Sequence, residues 1–423
     1  MRQNLCFAGL AIFAAWLCVA LPARANAGAA MLHAAGGVVI DRGGAHVALR
    51  CVNLSPWLIP EGYLMGQGSF AGLTTSPSQI KQRLETVVGP DKAHAFWQSW
   101  TRAFVDEADF RRLKGQGFNC VRLPLNASYL TQSLGTDNVS FDAAGIAPVD
   151  AAVGWGRTYG IYVFLDLHDA PGGQNPVPSV SDVPSTDRVA RLWSGPTAAA
   201  NQQKTVALWR AIAARYATAD HVGGYDLLNE PELPGAVEPS RLADLYGSII
   251  AAIRKVDHAH MIVIEGNHYA HDFSALRSVA DADVMYEFHE YAIFNPGWHT
   301  PTAAALAPFL ALRRETHRPL WLGEFGEQTL DWQKAMVDLM KANAIGWAVW
   351  PWKRIDLGNS HPVAETIATP AAWNAISGYL VGRWFARKPP PDQAELAMSQ
   401  MVRAVRTENC REDGALIRVL TGD

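Results

Sequence analysis

The chain has 423 residues, 49% of them hydrophobic and 18% charged, with 35 Gly and 25 Pro, the balance of a globular protein large enough for a substantial core. Its length allows two or three domains, although α/β barrels often reach this size as one. A formal charge of −4 with no basic stripe argues against nucleic acid as a partner.

Residues 1–27 read apart from the rest. Arg2 precedes an apolar run from Leu5 to Leu21, and Ala25-Asn26-Ala27 supplies a small-residue cleavage pattern. The run is short for a membrane anchor, and Leu17 before Cys18 is not the small residue of a lipoprotein signal. A cleaved secretory signal is therefore expected, with residues 28–423 as one secreted domain, extracellular or periplasmic. No later stretch approaches the ~20 apolar residues of a membrane helix, so the mature chain is expected to have no membrane partner and to be a monomer. Cleavage removes Arg2 and Arg24, leaving 34 basic and 40 acidic side chains, a charge of −6. Of the remaining cysteines, Cys51, Cys120 and Cys410, two lie in apolar runs; buried thiols are expected, with a single bridge as the alternative.

Beyond the leader, Val38-Val39-Ile40 and His46 to Arg50 flank Asp41-Arg42-Gly43-Gly44, a hairpin signal. Helical patterns follow over Gln79–Val88 and Asp91–Lys114, the second stopped by Gly115-Gln116-Gly117. From there one unit recurs. Candidate strands run Asn119–Leu123, Ile161–Leu167, Gly223–Leu228, Met261–Glu265, Val284–Phe288, Pro319–Gly323 and Ile345–Trp350. Amphipathic segments such as Asn201–Tyr216, Arg241–Val256, Thr302–Thr316 and Asp331–Ala342 separate most of them. Strands apolar on both faces and alternating with helices imply a parallel sheet. With the strand through Val52 there are eight, which predicts a (β/α)8 TIM barrel preceded by an N-terminal β-hairpin. Lys388-Pro389-Pro390-Pro391 reads as a turn before a closing helix that carries Met398, Met401 and Val402.

Two of these strands end in glutamate. Tyr225-Asp226-Leu227-Leu228 runs into Asn229-Glu230-Pro231, and Leu320-Trp321-Leu322-Gly323 runs into Glu324. The C-terminal rim of a barrel is where ligands bind, so both carboxylates should face one site. A pair of carboxylates there suits glycosidic hydrolysis, one as acid and then base, the other as nucleophile. Trp350, Trp57 and Trp298 are candidate platforms for a sugar ring. Asp166, His168, Asp169 and His289 could supply metal ligands, but the first strand ends in Asn53 and offers no His-x-His, so neither metal nor cofactor is expected.

Several stretches in order now carry a resemblance: Val52-Asn53-Leu54 with Trp57, Gly117 to Pro124, Asp166-Leu167-His168, Leu228 to Pro231, His289-Glu290-Tyr291, Gly323 to Gly326 and Trp347 to Trp350. Together the chain resembles a retaining β-glycosidase of glycoside hydrolase family 5, the cellulase family of clan A. The resemblance implies Glu324 as nucleophile and Glu230 as acid/base. Arg122 would donate to Glu324, Asn229 would bind the sugar 2-hydroxyl, and Tyr291 would hydrogen-bond the nucleophile. His289 would hold a hydroxyl or the acid/base residue, with His168 and Trp350 also binding substrate. The implied substrate is a β-glucan oligo- or polysaccharide, with a β-mannanase, a glycolipid glycosidase or an inactive carbohydrate-binding barrel as alternatives. Ser55-Pro56 stands where related exo-glucanases carry Gly-Gly, and Asp169 where they carry Gly, so exo-action does not follow from the resemblance. The stretch Pro56–Ser99 is long enough to wall off one end of the cleft.

Overall fold

A computed structural model describes residues 31–66, 75–356, 358 and 361–422. The leader and its cleavage site lie outside the described residues, as do residues 67–74 of the connection expected to wall the cleft. In chain order the strands are β1 (Leu32–Ala35), β2 (Val38–Asp41), β3 (Arg50–Asn53), β4 (Cys120–Asn126), β5 (Thr131–Leu134), β6 (Val139–Phe141), β7 (Tyr162–Asp169) and β8 (Val222–Asp226). There follow β9 (Ile262–Glu265), β10 (Val284–Glu290), β11 (Leu320–Gly326), β12 (Gly346–Trp350), β13 (Lys353–Ile355), β14 (Glu365–Ile367) and β15 (Cys410–Glu412). Strands β3, β4, β7, β8, β9, β10, β11 and β12 close into a parallel barrel in that order around the ring, the TIM barrel that the βα alternation predicts.

The period-2 geometry of a strand sorts the barrel residues into two environments. Val52, Val121, Leu165, Tyr225, Ile264, Phe288, Leu322 and Val349 join the large core shared with the surrounding helices. Their neighbours Cys51, Cys120, Phe164, Val263, Met285, Trp321 and Ala348 form a second apolar cluster with Leu32, Val39 and Leu49. Two residues further along the same strands stand Asn53, Arg122, Asp166, Glu265 and Glu287, all fully buried. A charged layer therefore lies between this apolar floor and the C-terminal rim.

Three local expectations change. The N-terminal hairpin is present, but its ladder pairs β1 with β2 through a turn at Gly36-Gly37; the segment after Gly44 adds only an isolated bridge from His46 to Ile40. The pattern over Asp91–Lys114 is two helices, Pro90–Phe104 and Glu107–Gly115. Asp106 caps the second, accepting from the Ala108 amide at 2.8 Å, while Asp109 Oδ2 accepts from the Asp106 amide at 2.9 Å. The helix after the proline run, Pro391–Ala404, is not the last element: β15 and a helix over Gly414–Thr421 follow it. The cysteine expectation is corrected too. Cys51 and Cys120 are register partners on β3 and β4 and form a disulfide, leaving Cys410 as the free thiol among the described residues. Among the described residues, no helix is long and apolar enough to cross a membrane.

Candidate active site

Glu230 and Glu324 reach the rim by different means. Glu324 lies within β11, and the residue before it has to be glycine, because a Cβ on Gly323 would sit 1.6 Å from Glu287 Oε1. Glu230 lies just past β8 with a φ of 42°, a left-handed conformation unusual outside glycine. The loop after β7 holds it there: Gln174 Nε2 donates to the Asn229 carbonyl and Asn175 Nδ2 to the Glu230 carbonyl, each at 2.9 Å. From below, Glu265 Oε2 accepts from the Glu230 amide at 2.7 Å. The Gly172-Gly173 pair of that loop is a packed turn with φ of 82° and 78°, where a Cβ on Gly173 would lie 2.2 Å from Val183. One carboxylate oxygen from each glutamate and a ring nitrogen of His289 all lie within 4.8 Å of one another.

Arg122 sits beneath both glutamates, fully buried. Nη1 donates to Glu324 Oε1 at 2.7 Å and to Asn53 Oδ1 at 3.2 Å, while Nη2 donates to Asn229 Oδ1 and Glu265 Oε1, both at 2.9 Å. Nε faces Asp226 Oδ2 at 2.8 Å and Glu287 Oε1 at 2.9 Å, and Asp166 Oδ2 lies 3.1 Å from Nη1. One guanidinium thus meets five buried carboxyl groups. Burial makes five negative charges around one cation costly, so the four carboxyls other than Glu324 are pushed toward their protonated forms. Burial pushes Asp166 and Asp226 up to about 7, against the pull of Arg122, and Glu265 and Glu287 well above the usual carboxylate range. Shared protons also account for Asp166 Oδ1, Asp226 Oδ1 and Glu287 Oε2, which find no donor among fixed N–H groups.

The remaining predicted side chains converge on the same place. Tyr291 Oη donates to Glu324 Oε2 at 2.9 Å. His289 Nδ1 lies 2.9 Å from Glu230 Oε1 and its Nε2 3.1 Å from Glu287 Oε1. Burial lowers His289 to about 3 and His168 to about 4, so both rings are neutral at ordinary pH. His168 bonds Asp166 through Nδ1 at 2.9 Å and lies parallel to Trp350, with ring centroids 5.5 Å apart. Trp350 in turn donates its Nε1–H to Tyr63 Oη at 2.6 Å. Burial raises both Glu230 and Glu324 above the usual carboxylate range, against the opposing pull of Arg122.

Two candidates drop out. Trp57 is buried against Trp100, with Nε1 donating to the Thr101 carbonyl at 2.7 Å. Trp298 is buried beside Phe309, and its carbonyl accepts from Trp332. Both serve the core rather than a sugar. Asp169 is also buried, accepting from Asn126 Nδ2 at 2.8 Å, and burial holds its carboxyl well above its ordinary value. Residues that sequence reasoning missed include Glu61, which accepts from Ser55 Oγ at 3.0 Å and whose pKa is raised by burial and by the charge of Glu324, and Tyr63. It also missed Asp226, Glu265 and Glu287, whose signal was a charge inside an otherwise apolar strand. Among the described residues, three carboxylate or histidine sets have ligand atoms within 4.8 Å: Glu230–His289–Glu324, Glu265–Glu287–His289 and Asp166–Asp226–Glu265. In the last two the Arg122 guanidinium is already the bonded cation.

A closed βα barrel whose rim brings two glutamates to this spacing has the makeup of a glycoside hydrolase. Residues 82–355 match the family described as Cellulase (glycosyl hydrolase family 5), and the chain belongs to that family. A β-xylosidase of Phanerodontia chrysosporium is 28% identical over 371 residues, covering 81% of this chain and 74% of the relative. A probable glucan 1,3-beta-glucosidase A of Aspergillus niger is 28% identical over 308 residues, covering 70% and 68%, and endoglucanase C of Acetivibrio thermocellus is 25% identical over 312 residues, covering 60% and 85%. The crystal structure of an endogalactoceramidase shares the fold, with a TM-score of 0.59 at 21% identity over 87% of this chain and 84% of that one.

Proposed function

We propose that the mature chain is a secreted, monomeric hydrolase, one domain over residues 28–423, that cleaves the O-glycosidic bonds of β-glucans with retention and without metal or cofactor. The observation that carries this reading is the approach of the Glu230 and Glu324 oxygens to within 4.8 Å. Retaining enzymes hold the pair ~5 Å apart, whereas inverting enzymes leave room for a water at roughly 6.5–9.5 Å.

Glu324 is the nucleophile, because Arg122 and Tyr291 each donate to one of its oxygens and so favour the ionised form. Glu230 lies against a neutral His289, and burial keeps its proton on at higher pH, as an acid requires. Attack of the Glu324 carboxylate on the anomeric carbon breaks the bond to the leaving oxygen, which takes the Glu230 proton. Water then displaces Glu324 from the glycosyl-enzyme while Glu230 accepts the water proton. Asn229 has its Oδ1 committed to Arg122, which leaves Nδ2 to donate to the 2-hydroxyl. Trp350, fixed by Tyr63 and His168, offers its remaining ring face to the pyranose. The leader pattern and the Cys51–Cys120 bridge support secretion, since disulfides persist in oxidising compartments. Relatives named as a glucan 1,3-beta-glucosidase and an endoglucanase support a glucan.

The test is product analysis of the purified mature protein on carboxymethyl-cellulose, barley mixed-linkage glucan, laminarin, mannan and glucosylceramide, with the anomer followed by proton NMR. A glucan releasing β-anomer first is expected. The α-anomer first would overturn retention, release only from mannan or glucosylceramide would move the substrate, and no release from folded protein would leave a binding barrel. Glu324→Gly with azide should form the inverted α-glycosyl azide; a retained β-azide would exchange the two glutamates.

A further inference from the structure

We propose that Glu265 is a positioning residue that fixes the acid/base glutamate relative to the nucleophile; the proposal rests on the assignment of Glu230 and Glu324 above. Its two oxygens are divided between them. Oε2 accepts from the Glu230 amide at 2.7 Å, Oε1 accepts from Arg122 Nη2 at 2.9 Å, and Arg122 Nη1 donates to Glu324 Oε1 at 2.7 Å. Three short hydrogen bonds therefore join the backbone of one glutamate to the side chain of the other through fully buried groups.

The link acts where the chain is least willing to stay. Glu230 holds a left-handed φ of 42°, and the bond to Glu265 fixes which way its amide points and so the direction in which its side chain leaves the backbone. Glu265 is itself anchored: Tyr246 Oη donates to its carbonyl at 2.9 Å and accepts from its amide at 3.3 Å, tying the end of β9 to the helix Ser240–Ile253. Both donors, the Glu230 amide and Arg122, need an acceptor, and glutamate presents an oxygen lone pair to each whether or not it carries a proton. Glutamine has one oxygen, so its NH2 would confront one of the two N–H groups.

The consequence separates proton donation from nucleophilic attack. Glu265→Gln should leave Glu324 able to attack but displace the Glu230 carboxyl. Aryl β-glycosides of the sugar identified in the product analysis read the difference, because dinitrophenolate departs without a proton and a phenolate of high pKa does not. For Glu265→Gln, kcat/KM is expected to fall about 10- to 100-fold on the poor leaving group and less than about threefold on the dinitrophenyl glycoside. Azide should raise kcat on the dinitrophenyl substrate, as it would for a Glu230 variant. Equal loss on both substrates, or no loss on either, would overturn the proposal. If Glu265→Gln does not fold, Glu265→Asp, which keeps both acceptors but draws them back by one methylene, is read the same way. Wild-type protein inert on both glycosides would instead overturn the hydrolase reading itself.

Discussion

Arg122 stands two positions beyond Cys120, Asp166 two beyond Phe164 and Glu287 two beyond Met285, and across that single step the barrel interior passes from apolar contact to ion pairing. The floor packs sulfur and aromatic side chains at no electrostatic cost, each large group contributing about 1.5–3 kcal/mol on burial. The layer above removes a guanidinium and its carboxyls from water, which costs several kcal/mol per ion before their mutual bonds offset it. The same strands thus carry a stabilising half and a functional half, and the first supports the second. Nothing in strand geometry demands this; the sequence alternates within each strand and changes chemistry along it.

The comparison breaks most severely at Arg122. Arg122→Met leaves five carboxyls without a cation and is expected to lower stability by about 3–5 kcal/mol or to prevent folding, measured by urea unfolding. An unchanged midpoint would mean that the carboxyls hold no charge at all. In the floor, replacing Cys51 and Cys120 together by alanine should cost about 2–4 kcal/mol, since the bridge spans 69 residues of chain. Site geometry should survive, so the loss should appear in thermal midpoint rather than in kcat at low temperature.

Proton uptake sharpens the contrast next. The raised pKa of Asp166 and Asp226, about 7 when folded, gives stability that is fully present below about 3.8 and lost as pH rises through about 7. His168 and His289, depressed to about 4 and about 3, act oppositely: their contribution is present above about 6.5 and lost as pH falls toward those values. The two effects oppose each other between about 4 and 6.5, and above 6.5 only the carboxyls act. The thermal midpoint should therefore be lower at pH 8 than at pH 6.5, by calorimetry. The smallest effect is expected for Glu287→Gln, which swaps one neutral group for another of equal shape because Glu287 is held protonated; the change should stay under about 1 kcal/mol at pH 6.

The barrel and its two glutamates were legible because their signals are local. Apolar runs alternating with amphipathic segments define βα units, and an Asn-Glu-Pro turn after a strand marks the rim whatever surrounds it. The interior charges were harder. Asp226, Glu265 and Glu287 interrupt apolar strands, but their meaning depends on Arg122, which only ring closure brings among them. A bridge was only the alternative to buried thiols, and its partners stayed unassigned, for the same reason: Cys51 and Cys120 are 69 positions apart, and barrel order makes them neighbours. Trp57 and Trp298 show the opposite limit, since an indole suits a sugar platform and a core equally, and only the surroundings distinguish the two: Trp57 meets Trp100 and Trp298 meets Phe309, whereas the equally buried Trp350 lies against His168. The break at Asp106 was readable in principle, as Asp-x-x-Asp is a cap that a continuous apolar stripe conceals.

The hairpin of β1 and β2 does more than precede the barrel. Leu32 and Val39 press on the apolar floor, while His33 Nδ1 and the Ala34 amide reach Asp283, next to β10, at 2.9 and 2.6 Å. The hairpin thereby covers the apolar floor of the barrel at its base. A chain trimmed to begin at β3 would uncover that floor beneath the charged layer, bringing solvent closer to the medium that sets the acidity of every group above it.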